Sequence, residues 1–294
     1  MAQFDEFRTF VRRDVPLAMH TRLQLGGPAE FFAEPVTETE LIDLLKQSQK
    51  ENVPVRVLGA GSNVLAPEEG LSGVVLSLSS PVFCRVAVEG RRVTAGAGAK
   101  LGRVITQAVS QGLAGIEGLI GIPGTIGGAL AGNTGTNNGD LGQWVESVTI
   151  SDFDGKISVL SKNEISFGYR SSSLDDTVIL SATLLLDQDG PVELSRRMQK
   201  LWIVRKAQQP GSELASAYVF KNPKMGTSAG EWIEQAGLKG TCIGGAKISE
   251  RNANFILVEP EGTVDDVLRL IRLVQDQVET RTEIELEPAL EIWA

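Results

Sequence analysis

The chain has 294 residues, 42% of them hydrophobic and 22% charged, and a formal net charge of −9. That length suffices for two domains with a large buried core, and an acidic surplus without a compensating basic patch excludes a nucleic-acid scaffold. A single histidine, His20, excludes histidine metal sites and Ser-His-Asp triads, and Cys84 and Cys242 lack metal-ligand spacing, so no metal is expected.

In chain order, residues 1–13 are charged and have no apolar h-region, which argues against a secretory signal. No later apolar run reaches membrane-spanning length, and two free thiols fit a reducing compartment. The expectation is a soluble, cytoplasmic protein without a membrane partner. Thr37-Glu38-Thr39-Glu40 reads as a capping box opening a helix to Lys50, with Leu41, Leu44 and Leu45 on one face. A strand over 53–58, the turn Gly59-Ala60-Gly61-Ser62-Asn63 and a strand over 73–78 complete a small α/β lobe. Residues 86–88 and 93–95 read as a hairpin, and 101–111 as a helix. Beyond a glycine-dense region, 148–151 and 156–160 flank Asp154-Gly155, a strong hairpin signal. A strand over 177–186 precedes the breaker Asp187-Gln188-Asp189-Gly190-Pro191, where the main domain boundary is expected. A helix over 192–207, a strand over 218–221, a helix over 229–236 and a strand over 254–258 follow. Thr263 caps a long helix with Val264, Val267, Leu268, Ile271, Val274 and Val278 at helical spacing, and 284–293 is extended. No repeat occurs at solenoid periods.

Between Gly112 and Gly142, glycine falls at 112, 115, 118, 121, 124, 127, 128, 132, 135, 139 and 142. Each glycine in a regular element costs roughly 0.5–1 kcal/mol relative to Ala, so this density needs a reason. Collagen is excluded by the short run and a lone Pro123, and a linker by Ile116, Leu119, Ile120, Ile122 and Ile126. Close approach of backbone to a ligand remains, and two such loops suit a large phosphate-bearing cofactor held by N–H groups. For Gly127-Gly128, tight helix packing is the alternative.

The segments RLQLGGPA (22–29), VLGAGSNVL (57–65), GIPGTIGGA (121–129), FGYRS (167–171), VFKNP (219–223) and AGLKGTCIGGA (236–246) occur in one order. Together they resemble the UDP-N-acetylenolpyruvoylglucosamine reductases of peptidoglycan synthesis, from about Arg22 onward. The resemblance implies an α+β fold of the vanillyl-alcohol-oxidase type. It has two FAD-binding lobes, expected at 1–79 and 80–190, and a substrate-binding domain at 191–294. It implies FAD as cofactor and NADPH as co-substrate, with reduction of the enolpyruvyl double bond of a UDP-sugar to give UDP-N-acetylmuramate. No protein partner is implied. Gly59, Ala60, Gly61, Ser62, Asn63, Gly121, Pro123, Gly124, Thr125 and Gly128 are the implied cofactor contacts, with Pro123 stiffening its turn. Arg170 matches the family arginine that meets charge developing on the substrate carboxylate, and Tyr169, Lys221 and Asn222 match substrate contacts, the last two near the diphosphate.

The chain departs from the family pattern at two catalytic positions. Tyr218 stands where the family carries a serine or cysteine proton donor. A phenol, ordinarily with a pKa near ~10, can donate a proton but is far bulkier. In Leu286-Glu287-Pro288-Ala289-Leu290, Ala289 stands at the position of the family glutamate, with Glu287 and Glu291 each offset by about 6.6 Å along an ideal strand. Ser216, on the same strand face as Tyr218, is the substitute donor. Asn252 and Thr134 replace a family His and Ala. A reductase using Arg170 and Tyr218 is the leading reading. A binding protein that has lost turnover and an oxidoreductase with another substrate are the alternatives.

Overall fold

A computed structural model describes residues 4–136, 138–211, 215–224 and 226–294. The chain divides into two compact units. The first combines the chain up to Val15 with Ala29–Ala60 and Ser72–Ile203, and the second combines Pro16–Pro28, Gly61–Leu71 and the chain from Val204 onward.

The first unit carries two sheets. In one, β1 (Val11–Pro16), β2 (Pro28–Ala33), β3 (Val55–Val57) and β4 (Leu71–Leu76) lie in the order β1-β2-β4-β3, with β3 and β4 parallel. Helix α1 (Glu38–Lys50) connects β2 to β3. Its capping box is formed as the sequence requires: the Glu40 N–H donates to Thr37 Oγ1 at 3.1 Å, and the Thr37 N–H donates to the Glu40 carboxylate at 3.2 Å. Leu41, Leu44 and Leu45 are fully buried. The second sheet is antiparallel. Its strands β5 (Val86–Glu89), β6 (Arg92–Gly96), β7 (Val145–Ser151), β8 (Ile157–Ser161) and β9 (Val178–Leu185) have the order β8-β7-β9-β6-β5. Helix α2 (Leu101–Ser110) buries Leu101, Val104, Ile105, Ala108 and Val109, and one continuous apolar core joins these elements.

The second unit is an antiparallel sheet under a helix. Strands β10 (Ala215–Tyr218), β11 (Cys242–Ile243), β12 (Ala246–Ile248) and β13 (Phe255–Val258) run β10-β13-β12-β11. The Thr263-capped helix α4 (Val264–Thr282) buries Val264, Val267, Leu270, Ile271, Val274 and Val278. Leu270, which the spacing did not single out, is fully buried as well, and the expected Leu268 packs half-buried against the same core. The expected strand over 218–221 ends at Tyr218; beyond it the chain bonds to the C-terminal segment instead. Of the extended segment over 284–293, Glu291–Ile292 pairs in parallel with Val64–Leu65.

The glycine-dense region is not all loop. Glu117–Leu119 forms a 3-10 turn, and Ile126–Ala131 forms a short helix, α3. Gly127 lies on the packed side of α3: its N–H donates to the Ala97 carbonyl at 2.8 Å, and an added Cβ would stand 3.1 Å from the Ala97 Cβ. Gly128 is exposed, with only Thr125 Oγ1 in reach of an added Cβ, at 3.7 Å. Packing therefore accounts for Gly127 but not for Gly128. Gly127→Val is expected to destabilise the fold by about 1–3 kcal/mol through overpacking, seen as a lower urea midpoint at unchanged slope.

Candidate active site

In the first unit, the family-like GIPGTIGGA segment is laid along the turn between β6 and α2. The Leu101 N–H donates to the Gly124 carbonyl at 3.0 Å and the Ile126 N–H to the Ala99 carbonyl at 2.9 Å, with a bridge between Lys100 and Thr125. Thr125, 9% exposed, then caps α3 through its Oγ1, which accepts the Gly128 N–H at 3.4 Å. The same hydroxyl explains Gly59: a Cβ there would stand 2.8 Å from Thr125 Oγ1. So the two glycine loops of the sequence meet at Thr125.

The loops fit a diphosphate-bearing cofactor on the chemistry of their donors. Among the described residues of this unit, the N–H groups of Gly59, Ala60, Gly124 and Thr125 have no hydrogen-bonding partner. Gly59, Ala60 and Gly128 are exposed, while Gly121 and Gly124 are half-buried beside an exposed Pro123. Unpaired donors on backbone that carries little or no side chain are what an anionic group needs. A cavity of about 380 Å³ beside this region is lined by Glu117, Leu119, Trp144 and Arg197 among others, and by none of the predicted site residues.

Arg170 belongs to the same unit. Phe167–Gly168 pairs with Ser171–Ser172, so Tyr169 and Arg170 form the tip of a tight hairpin, with Arg170 left-handed at φ 57°. Its guanidinium lies 5.7 Å from the centre of the exposed Tyr169 ring. The hairpin is fixed from below by Asn133, which is 2% exposed. Asn133 Nδ2 donates to the Gly168 carbonyl at 2.8 Å, and its Oδ1 accepts the Gly142 N–H at 3.0 Å. Ser172 Oγ donates to the Ala131 carbonyl at 2.9 Å, tying the hairpin to the end of α3. Sequence reasoning did not select Asn133, although the Asn133-Thr134-Gly135 motif offered the signal. Glu117 was missed too: its carboxylate accepts the Gly115 N–H at 2.6 Å and pairs with Arg197, holding the entry to the loop.

The second unit gathers Asn63, Tyr218, Lys221 and Asn222. Tyr218, half-buried at the end of β10, packs edge-on against Phe255 at 5.5 Å between ring centres. Its hydroxyl donates to Asn222 Oδ1 at 3.2 Å, and the same oxygen accepts the Ala229 N–H at 3.0 Å. Buried Asn254, also missed, holds the strand: its Oδ1 accepts the Phe220 N–H and its Nδ2 donates to the Phe220 carbonyl, each at 2.8 Å. The C-terminal segment closes over this strand. The Lys221 N–H donates to the Glu287 carbonyl at 2.8 Å, and the Ala289 N–H to the Val219 carbonyl at 2.7 Å. Lys221 also forms an ion pair with Glu287. Asn63 Nδ2 donates to the Ala289 carbonyl at 2.7 Å, so the family acid position lies between the end of the first glycine turn and the strand after Tyr218. Gly61, left-handed at φ 58°, is buried against the His20 carbonyl, which an added Cβ would approach to 2.0 Å. Half-buried Ser62 follows it in the turn.

Ser216 and Cys242 are placed differently from each other. Ser216 lies within β10 and is buried, 3% exposed, whereas Tyr218 two residues on is half-buried. Cys242 is an exposed free thiol. Cys84 is free as well, and burial pushes its thiol pKa up, against the pull of Arg103 and Lys100. Among the described residues no cluster of metal-ligating side chains occurs, and no helix is long and apolar enough to cross a membrane.

Comparison with known proteins agrees with this geometry. Residues 29–161 match the FAD binding domain model, and residues 209–293 match the C-terminal domain of UDP-N-acetylenolpyruvoylglucosamine reductase. A reductase of that name from Rhodopirellula baltica is 38% identical over 96% of this chain and 92% of its own length. One from Caldanaerobacter subterraneus is 39% identical over 94% of this chain and 91% of its own. The crystal structure of the Thermus caldophilus reductase superposes with a TM-score of 0.84 at 36% identity, covering 97% of this chain and 100% of that one. The chain therefore belongs to the UDP-N-acetylenolpyruvoylglucosamine reductase family, with its α+β fold and FAD-binding domain.

Proposed function

We propose that this protein reduces the enolpyruvyl group of UDP-N-acetylglucosamine enolpyruvate, with NADPH as reductant, to give UDP-N-acetylmuramate. The observation that carries the reading is the joining, within one unit, of unpaired loop donors and Arg170 through α3 and Asn133. FAD, when bound, supplies the hydride relay between NADPH and the substrate. The reaction serves peptidoglycan precursor synthesis, and through it cell-wall biogenesis, cell shape and division, in the cytoplasm and without an obligate protein partner. In this reading 1–79 and 80–190 are the FAD lobes and 191–294 is the substrate domain.

Gly59, Ala60, Gly61, Ser62, Asn63, Gly121, Pro123, Gly124, Thr125 and Gly128 hold the flavin, chiefly through main-chain donors. Lys221 and Asn222 take the substrate diphosphate, and Tyr169 flanks the sugar. Hydride addition to the double bond builds enolate-like charge toward the substrate carboxylate. The Arg170 guanidinium, on a hairpin anchored by Asn133 and Ser172, meets that charge; a fixed donor of this kind is typically worth ~3–4 kcal/mol. The second carbon then needs a proton, and the Tyr218 hydroxyl supplies it. Its hydrogen bond to Asn222 orients the O–H in the resting site and leaves it when Asn222 engages the diphosphate.

The test is anaerobic. The purified protein's flavin is reduced with NADPH, and the enolpyruvyl substrate is added. Prompt return of the oxidised flavin band supports the reductase; a flavin that reduces and stays reduced supports a binding protein that has lost turnover. In the same assay Arg170→Ala is expected to retain flavin and its reduction by NADPH, while reoxidation slows by about 10²–10³. Turnover retained in that variant removes Arg170 from the mechanism. Tyr218→Phe is expected to lose reoxidation, and an unchanged rate moves the proton to Cys242 or water. Asn133→Ala leaves a buried N–H and C=O unpaired, at about 1–3 kcal/mol of stability by chemical unfolding. It is also expected to slow reoxidation more than NADPH reduction, because it releases the Arg170 hairpin.

A further inference from the structure

We infer that Glu287 is the resting counter-ion of Lys221 and that a substrate diphosphate must compete with it, so that this carboxylate limits how tightly the site holds UDP-sugars. The inference rests on the reading of Lys221 as a diphosphate contact.

The geometry is specific to these two residues. Lys221 is the more enclosed partner, its side chain 23% exposed against 69% for Glu287. The carboxylate's backbone is not free to withdraw. The Glu287 carbonyl accepts the Lys221 N–H, Pro288 bridges to Phe220, the Ala289 N–H and carbonyl are both engaged, and the Glu291 N–H donates to the Asn63 carbonyl at 2.9 Å. Only the torsions of the Glu287 side chain can move its charge. An ammonium has three donors, so a phosphate oxygen can join the carboxylate on Lys221. Two anionic groups then share one cation at close range, in a chain whose net charge is already −9. An exposed ion pair adds little to the stability of a fold. Its energetic consequence therefore falls on the anion that wants the same cation.

The departure at Ala289 sharpens the point. Among residues 286–290, the family acid is missing at 289 and the carboxylate at 287 is committed to Lys221. Glu287 thus acts on diphosphate affinity and not on proton delivery.

The probe is UDP-N-acetylglucosamine, which carries the diphosphate but no reducible enolpyruvyl group, titrated into the FAD-loaded protein by calorimetry. Glu287→Gln is expected to bind it about three- to tenfold tighter, as removal of one nearby like charge implies. Lys221→Gln is expected to bind it weaker, and in that background the gain from Glu287→Gln should shrink, because competition for the ammonium has gone. Unchanged or weaker binding by Glu287→Gln, with Lys221→Gln still weakened, overturns the counter-ion assignment alone. An equal gain in both backgrounds also overturns it, since the carboxylate would then act without Lys221. Unchanged binding by Lys221→Gln removes the diphosphate contact itself, and the assignment with it.

Discussion

Much of the first unit's chemistry depends on three main-chain hydrogen bonds that lay residues 124–127 along residues 97–101. They run from Leu101 to Gly124, from Ile126 to Ala99 and from Gly127 to Ala97. Backbone pairing of this kind satisfies groups that burial would otherwise penalise, and it fixes Thr125 to within a hydrogen bond's tolerance. From Thr125 follow the absence of a side chain at Gly59 and the start of α3. From the end of α3 follow Asn133 and the Ser172 contact, and from those the seat of Arg170. A glycine loop and a charged side chain more than forty residues apart in sequence are thus set by one short run of main-chain pairing.

The second unit solves a similar problem with a different device. Strand β10 stops at Tyr218, and the next residues leave the regular ladder for bonds to Asn254 and to the C-terminal segment. Leaving the ladder places half-buried Lys221 and Asn222 on a stretch pinned by those bonds. The price of that arrangement is a buried asparagine that must satisfy both polar groups of Phe220, which the amide of Asn254 does with one donor and one acceptor.

The capping boxes at Thr37 and Thr263, the hairpins around Gly90 and Asp154-Gly155, and the inner face of α4 were legible because each is a local pattern with a local cause. Strands β1 and β2 were not. Between buried Val11 and Val15, β1 carries Arg12, Arg13 and Asp14, which breaks the alternation that marks a half-buried strand. Helix α3 was hidden by its own glycines, whose low helix propensity is overridden by contact with Ala97. The candidate residues were legible through motif order, whereas Asn133, Asn254 and Glu117 act across long sequence distances that no spacing rule records. Tyr218 and Ala289 were visible as departures, but that the acid position is wedged between Asn63 and Val219 is a tertiary fact.

The parallel pairing of Val64–Leu65 with Glu291–Ile292, and the contact of Asn63 with Ala289 across 226 positions, bear on biosynthesis. A ribosome delivers the first partner long before the second, and a contact so distant in sequence forms late and slowly. The unfinished chain can complete the sheets of its first unit while residues 61–65 wait for the strand that secures them. The turn after Gly61 is therefore secured only once residues 289–292 have been synthesised and can reach it.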